Sequence, residues 1–97
     1  MIIYLESLVG KLFKILPMRE AESVSLKDYL DSLWLEMSGA YLSSDELQSN
    51  SDYIAVLNIL RYLTVNDVSV KQCKREVFKA IGLCEKVKSR MGGVPDA

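Results

Sequence analysis

The stretch YIAVLNILRYLTV, residues 53–65, decides how the rest of the chain can fold. Its thirteen positions are apolar except for Asn58, Arg61 and Thr64, so apolar side chains cover nearly the whole circumference of a helical wheel. A helix of that kind is buried on most sides, or it contacts a partner as well as its own core. We therefore predict that residues 53–65 form the central helix of a small helical protein.

The N-terminal segment predicts another helix. Apolar side chains recur at helical spacing over residues 2–16 and cover about half of the helix surface. Pro17 is expected to end this helix, because the residue before a proline disfavours the helical conformation. Residues 18–25 are mostly polar and are predicted to link the first helix to the next one.

A further helix is predicted over residues 26–42, with Ser25 in the position of its N-cap. The polar run of residues 43–51 that follows predicts a loop with room for one short turn. Ser51 or Asp52 is expected to cap the central helix, because both residue types accept hydrogen bonds from free N–H groups at helix starts.

The clearest periodicity lies in residues 70–91, where Ser69 and Gln72 fit a capping box. Apolar positions step by three and four through this segment: Val70, Cys73, Val77, Ala80, Cys84, Val87 and Met91. No stretch of the chain shows the alternation of a half-buried strand. We therefore predict an all-α protein, a small antiparallel four-helix bundle that forms a single domain over residues 1–97.

Composition is that of an ordinary globular protein, with 97 residues, 49% of them hydrophobic and 26% charged. The net charge of −1 gives no overall attraction to nucleic acid or membrane, but the charges are unevenly distributed. Residues 1–67 carry 5 basic and 10 acidic side chains, whereas residues 68–97 carry 7 basic and 3 acidic ones. The last helix is therefore the basic part of a polarised chain.

The compartment follows from the N-terminal segment and the cysteines. The apolar start lacks the basic region of a signal peptide, and no run approaches the length of a membrane span. Cys73 and Cys84 lie eleven residues apart on one predicted helix, about 16 Å, which is too far for a disulfide. We expect a soluble cytoplasmic protein with two buried thiols and no membrane association.

Catalytic and metal-binding patterns are missing from the sequence. There is no histidine, so the commonest general base and metal ligand is absent. No glycine-rich phosphate loop occurs, and two cysteines cannot form a thiolate metal site. The acidic pairs, such as Asp28 with Asp31, have polar neighbours typical of a solvated surface. We expect no enzymatic activity, no catalytic residues, no cofactor and no metal.

One face of the last helix is basic. Its members lie within about 100° of one another, opposite the apolar stripe: Lys71, Arg75, Lys79, Lys86 and Arg90. This pattern fits a solvated helix face, or a binding surface for an acidic protein or for phosphates. The function that we predict is protein–protein interaction, and the alternative is a nucleic-acid or nucleotide binder that uses this face. The slightly acidic chain argues against DNA binding.

Three apolar side chains fall on the polar sides of their helices: Ile3, Leu35 and Leu42. A four-helix bundle needs one apolar stripe per helix, so such a surplus predicts self-association, most simply as a homodimer. Scattered surface leucines are the alternative explanation. A short, cysteine-poor helical chain of this kind is typical of accessory or regulatory proteins of bacteria and their phages.

Overall fold

The computed structural model describes residues 2–91, with side chains through residue 90. Helices account for 85% of this part of the chain, and it contains no strand. The helices are α1 (Ile2–Phe13), α2 (Ile15–Glu20), α3 (Leu26–Ser43), α4 (Asp45–Gln48), α5 (Ser51–Val65) and α6 (Val70–Met91). The all-α prediction is confirmed, and the predicted helices over residues 26–42, 53–65 and 70–91 correspond to α3, α5 and α6.

The predicted end of the first helix at Pro17 is wrong. The helix is interrupted at Lys14 instead, and α2 begins at Ile15 and continues through Pro17 to Glu20. Pro17 is the third residue of α2, where a backbone N–H has no acceptor within its own helix, so proline removes no hydrogen bond there. The link is therefore residues 21–25, and its second residue, Glu22, lies in the left-handed region at φ 51°.

The caps of the helices were predicted with mixed success. Asn50, not Ser51 or Asp52, caps α5, and its side-chain oxygen accepts from the Tyr53 N–H at 3.1 Å. Ser25 precedes α3 but makes no capping hydrogen bond with its side chain, because its own backbone is already helical. Ser69 does cap α6, since its Oγ accepts from the third N–H of the helix at 3.1 Å.

The polar run of residues 43–51 contains a short helix. Ser44 caps α4, because its Oγ accepts from the Leu47 N–H at 3.3 Å. The Leu47 side chain is fully buried in the core. One apolar side chain thus fastens a segment whose other residues are polar, and this places Asn50 for its capping role.

A single cluster of buried side chains fills the interior and draws on every helix. From α5 it takes Tyr53, Val56, Ile59, Leu60 and Leu63. From α6 it takes Cys73, Val77, Ala80, Ile81, Cys84 and Val87. The stripe predicted for α6 is therefore buried except at Val70, which is exposed, and Met91, whose side chain lies outside the described residues.

The long helices contact one another in a closed cycle. α5 packs against α3 on one side and α6 on the other, and α1 packs against α6. The cycle closes between α1 and α3, where Lys11 Nζ lies 2.8 Å from a carboxylate oxygen of Glu36 and the Tyr29 hydroxyl donates to the Lys11 carbonyl at 2.7 Å. α3 and α6 therefore occupy opposite corners, so their outer faces belong to different sides of the protein.

Truncating the core at Leu60 should be costly. Leu60 is fully buried on α5, so Leu60→Ala removes apolar contacts and leaves a cavity. We expect a loss of roughly 2–5 kcal/mol in the free energy of unfolding, measured by urea denaturation followed by circular dichroism.

The matched control is Val65→Ala on the same helix, where the side chain is exposed. That substitution should change the free energy of unfolding by less than about 0.5 kcal/mol. A cost under about 1 kcal/mol for Leu60→Ala would contradict the position of α5 at the centre of the core.

Candidate interaction surfaces

The basic face of α6 is presented to solvent as the sequence predicts. It comprises Lys71, Arg75, Lys79, Lys86 and Arg90, and every one of these side chains is exposed. The buried stripe on the opposite side of α6 holds the helix in place, so the direction of the basic face is fixed by the core. The helix backbone thus fixes the relative positions of these five side chains, each of which would still lose rotamer freedom on association.

Arg90 differs from the other four members of the basic face. Its Nη1 lies 3.3 Å from Oδ2 of Asp52 at the start of α5. The angle is unsuitable for a hydrogen bond, so this oxygen has an ion-pair partner but no hydrogen-bond donor. The remaining four cations have no acidic group within 4 Å in the described part of the chain. Their charges are therefore available to a partner.

The three side chains assigned to self-association are all exposed. The exposed fraction is 81% for Ile3, 64% for Leu35 and 75% for Leu42. Seven other large apolar side chains of the described residues are also exposed, and sequence reasoning did not single them out; the most exposed are Val24 at 97% and Val65 at 66%. Val65 could have been identified from the helical wheel of residues 53–65, because a helix that is apolar all round has an apolar outer side once its inner side is packed.

Leu35 and Leu42 belong to one continuous strip on the outer side of α3, which we call the α3 stripe. It comprises Asp28, Asp31, Leu35, Gly39 and Leu42. These positions are spaced by three, four or seven residues, which places them on one side of a helix. Ile3 lies on α1, so the structure does not join it to this strip within one helix.

The glycine of the α3 stripe has no role in internal packing. A Cβ atom at Gly39 would meet nothing within 4 Å, and the same holds for Gly10 on α1 and Gly82 on α6. A glycine inside a helix costs about 1 kcal/mol relative to alanine. The internal packing of these helices does not require a glycine at these positions. A glycine does, however, allow another backbone to approach closely.

An aromatic pair and a cation–π contact lie beside these surfaces. Phe13 and Phe78 form an edge-to-face pair between α1 and α6, with ring centroids 6.0 Å apart, and both rings are partly exposed. Arg61 lies over the Trp34 ring at 4.5 Å from its centroid, between α5 and α3. Phe78 thus adds apolar surface next to the basic face, whereas Arg61 is held by the tryptophan.

Two tyrosines form the polar centre of the core. The fully buried Tyr53 hydroxyl donates to the Met37 carbonyl at 2.8 Å and lies 3.2 Å from the Tyr4 hydroxyl. Because the Tyr53 proton is engaged, Tyr4 is the donor of the second bond. Burial raises the pKa of both tyrosines, so both remain neutral. A satisfied, neutral pair of this kind supports the fold rather than proton transfer.

The thiols also lie inside. Cys73 and Cys84 are both free and buried. Burial raises the pKa of Cys84 to about 12, and it also raises the pKa of Cys73, although nearby Arg19 opposes that shift.

Cys73 borders a cavity of about 450 Å³ between the α2–α3 link and the end of α5. There Arg19 Nη2 donates to the Val68 carbonyl at 2.6 Å, which fastens the α5–α6 link.

The described residues provide neither a metal site nor a membrane-spanning helix. Residues 2–91 contain no group of three or more side chains placed to hold a metal ion. No helix in that range has both the length and the apolar character needed to cross a bilayer.

Comparison of the chain with protein-family models, with curated proteins and with solved structures finds no match.

Proposed function

We propose that this is a small, non-enzymatic cytoplasmic protein of the accessory or regulatory type that acts by binding proteins and that associates with itself, most simply as a dimer. The observation that carries the proposal is the exposure of Leu35 and Leu42 on the outer side of α3, whose inner side is already packed in the core. Large exposed apolar side chains grouped on one rigid face are typical of interfaces.

The proposal includes an antiparallel four-helix bundle in which α1 and α2 act as one helix. Contacts between the α1–α2 side and the α6 side support it, because residue numbers rise on one side as they fall on the other. They join Glu6 with Lys88, Phe13 with Phe78 and Arg19 with Val68. The closed cycle of helix contacts also fits this arrangement.

The basic face provides the second binding surface. Four cations without ion pairs in the described part of the chain fit an acidic protein surface, which would pair with them on association. The buried tyrosines and thiols have raised pKa values and lie in the core, which supports a binding role over catalysis.

Sedimentation velocity tests self-association directly. At about 100 μM the protein should sediment as a dimer or larger species, because the exposed apolar surface is removed from water on association. Leu35→Glu should shift the distribution toward the monomer without changing the circular dichroism spectrum.

The matched control is Val24→Glu, which places the same charge at an exposed apolar position in the link before α3, outside the α3 stripe. It should leave the sedimentation unchanged. A wild-type monomer at about 100 μM would defeat the proposed self-association.

Nucleic-acid or nucleotide binding is the second candidate, and the unpaired cations of the basic face favour it. Retention on heparin separates the candidates, since phosphate-dependent binding falls steeply with salt. If the main proposal is correct, the protein elutes from heparin at low salt. Elution only at high salt, with a steep dependence of binding on salt, would support the alternative.

A triple variant should lose binding through the basic face and keep its fold, because exposed charges contribute little to stability. It carries Lys71→Glu, Arg75→Glu and Lys79→Glu. If this triple variant unfolds, the cations are structural and the basic face is not a binding surface.

A further inference from the structure

We infer that the acidic partner of the basic face is the α3 stripe of a second copy of this chain. The inference rests on the proposed self-association and names the two surfaces that meet. It follows from the charge, the spacing and the placement of the two outer faces.

The charges of the two helices are complementary. α6 carries seven basic and two acidic residues. The α3 stripe begins with Asp28 and Asp31, and α4 adds Asp45 and Glu46 just beyond the end of α3. Lys27 is the one basic residue of α3. Docking α3 of one copy on α6 of another would therefore bring opposite charges together, which favours association and fixes its register.

The spacing of the charges matches when the two helices run in the same direction and cross at their glycines. Asp31 lies eight residues before Gly39, about 12 Å along α3, and Arg75 lies seven residues before Gly82, about 10 Å along α6. Asp28 and Lys71 each lie eleven residues, about 16 Å, before the glycine of their helix. The open space at both glycines lets the backbones approach where the helices cross.

The apolar parts of the surfaces match in the same register. Leu35 lies four residues before Gly39, and Phe78, which is 48% exposed, lies four residues before Gly82. On the other side of the crossing, Leu42 would lie near Lys86, whose aliphatic stem can cover an apolar side chain. The leucines that α3 exposes would thus leave water on association.

The placement of the two surfaces decides the kind of assembly. α3 and α6 lie at opposite corners of the contact cycle, so one partner cannot contact both outer faces at once. The interface is therefore between two different surfaces, and each dimer keeps one free surface of each kind. A two-fold contact between two α3 stripes that cross at Gly39 would instead bring Asp31 of one copy towards Asp45 and Glu46 of the other, and such like-charge contacts are unfavourable.

Two variants, each lacking one surface, test the inference. The first carries Lys71→Gln, Arg75→Gln and Lys79→Gln, and the second carries Asp31→Asn, Leu35→Gln and Leu42→Gln. Each variant should be monomeric at a concentration where the wild type associates, with an unchanged circular dichroism spectrum. Their equimolar mixture should form a dimer and nothing larger, because each variant supplies the surface that the other lacks.

The wild type should grow beyond a dimer as its concentration rises, and raising NaCl from about 50 to 500 mM should weaken its association about tenfold. If either variant alone associates like the wild type, or the mixture stays monomeric, the contact between unlike surfaces is wrong while self-association stands. A monomeric wild type defeats both the inference and the proposed function. A variant that unfolds is replaced by its single substitution, Arg75→Gln or Leu35→Gln, which should weaken association in the same direction.

Discussion

The hydrogen bonds of Tyr53 hold the centre of this protein together. Its N–H is capped by Asn50, its hydroxyl donates to the Met37 carbonyl at 2.8 Å, and Tyr4 donates to the same hydroxyl. One side chain at the start of α5 thereby joins α1, α3 and α5 inside an apolar core. Because an unpaired buried hydroxyl is unfavourable, this arrangement fixes how the helices lie around α5.

The outer surfaces follow from that packing. With the inner sides of α3 and α6 committed to the core, the α3 stripe and the basic face must point outward, at opposite corners of the contact cycle. Each of these two faces contains a glycine, Gly39 or Gly82, beside open space. The association that we propose between unlike surfaces of two copies would give these features one physical cause.

The sequence predicts those parts of the structure that depend on periodicity. The stripe of α6 and the exposure of Leu35 and Leu42 follow from the helical repeat alone. The path of the chain through Pro17 could not be predicted, because the rule for prolines fails in the first turn of a helix. The pairing of Arg90 with Asp52 was also missed, since it depends on how α6 packs against α5, for which the sequence carries no local signal.

A dilution series of ¹H–¹⁵N correlation spectra tests the central claim most directly, because it shows which amides sense association. Between about 1 mM and 20 μM, the account predicts shifts in two groups at once, around Gly39 on α3 and around Gly82 on α6. The amides of Val56 and Leu60, inside the core, should stay unchanged. Shifts confined to one of the two helices, or to α1 around Ile3, would contradict the account.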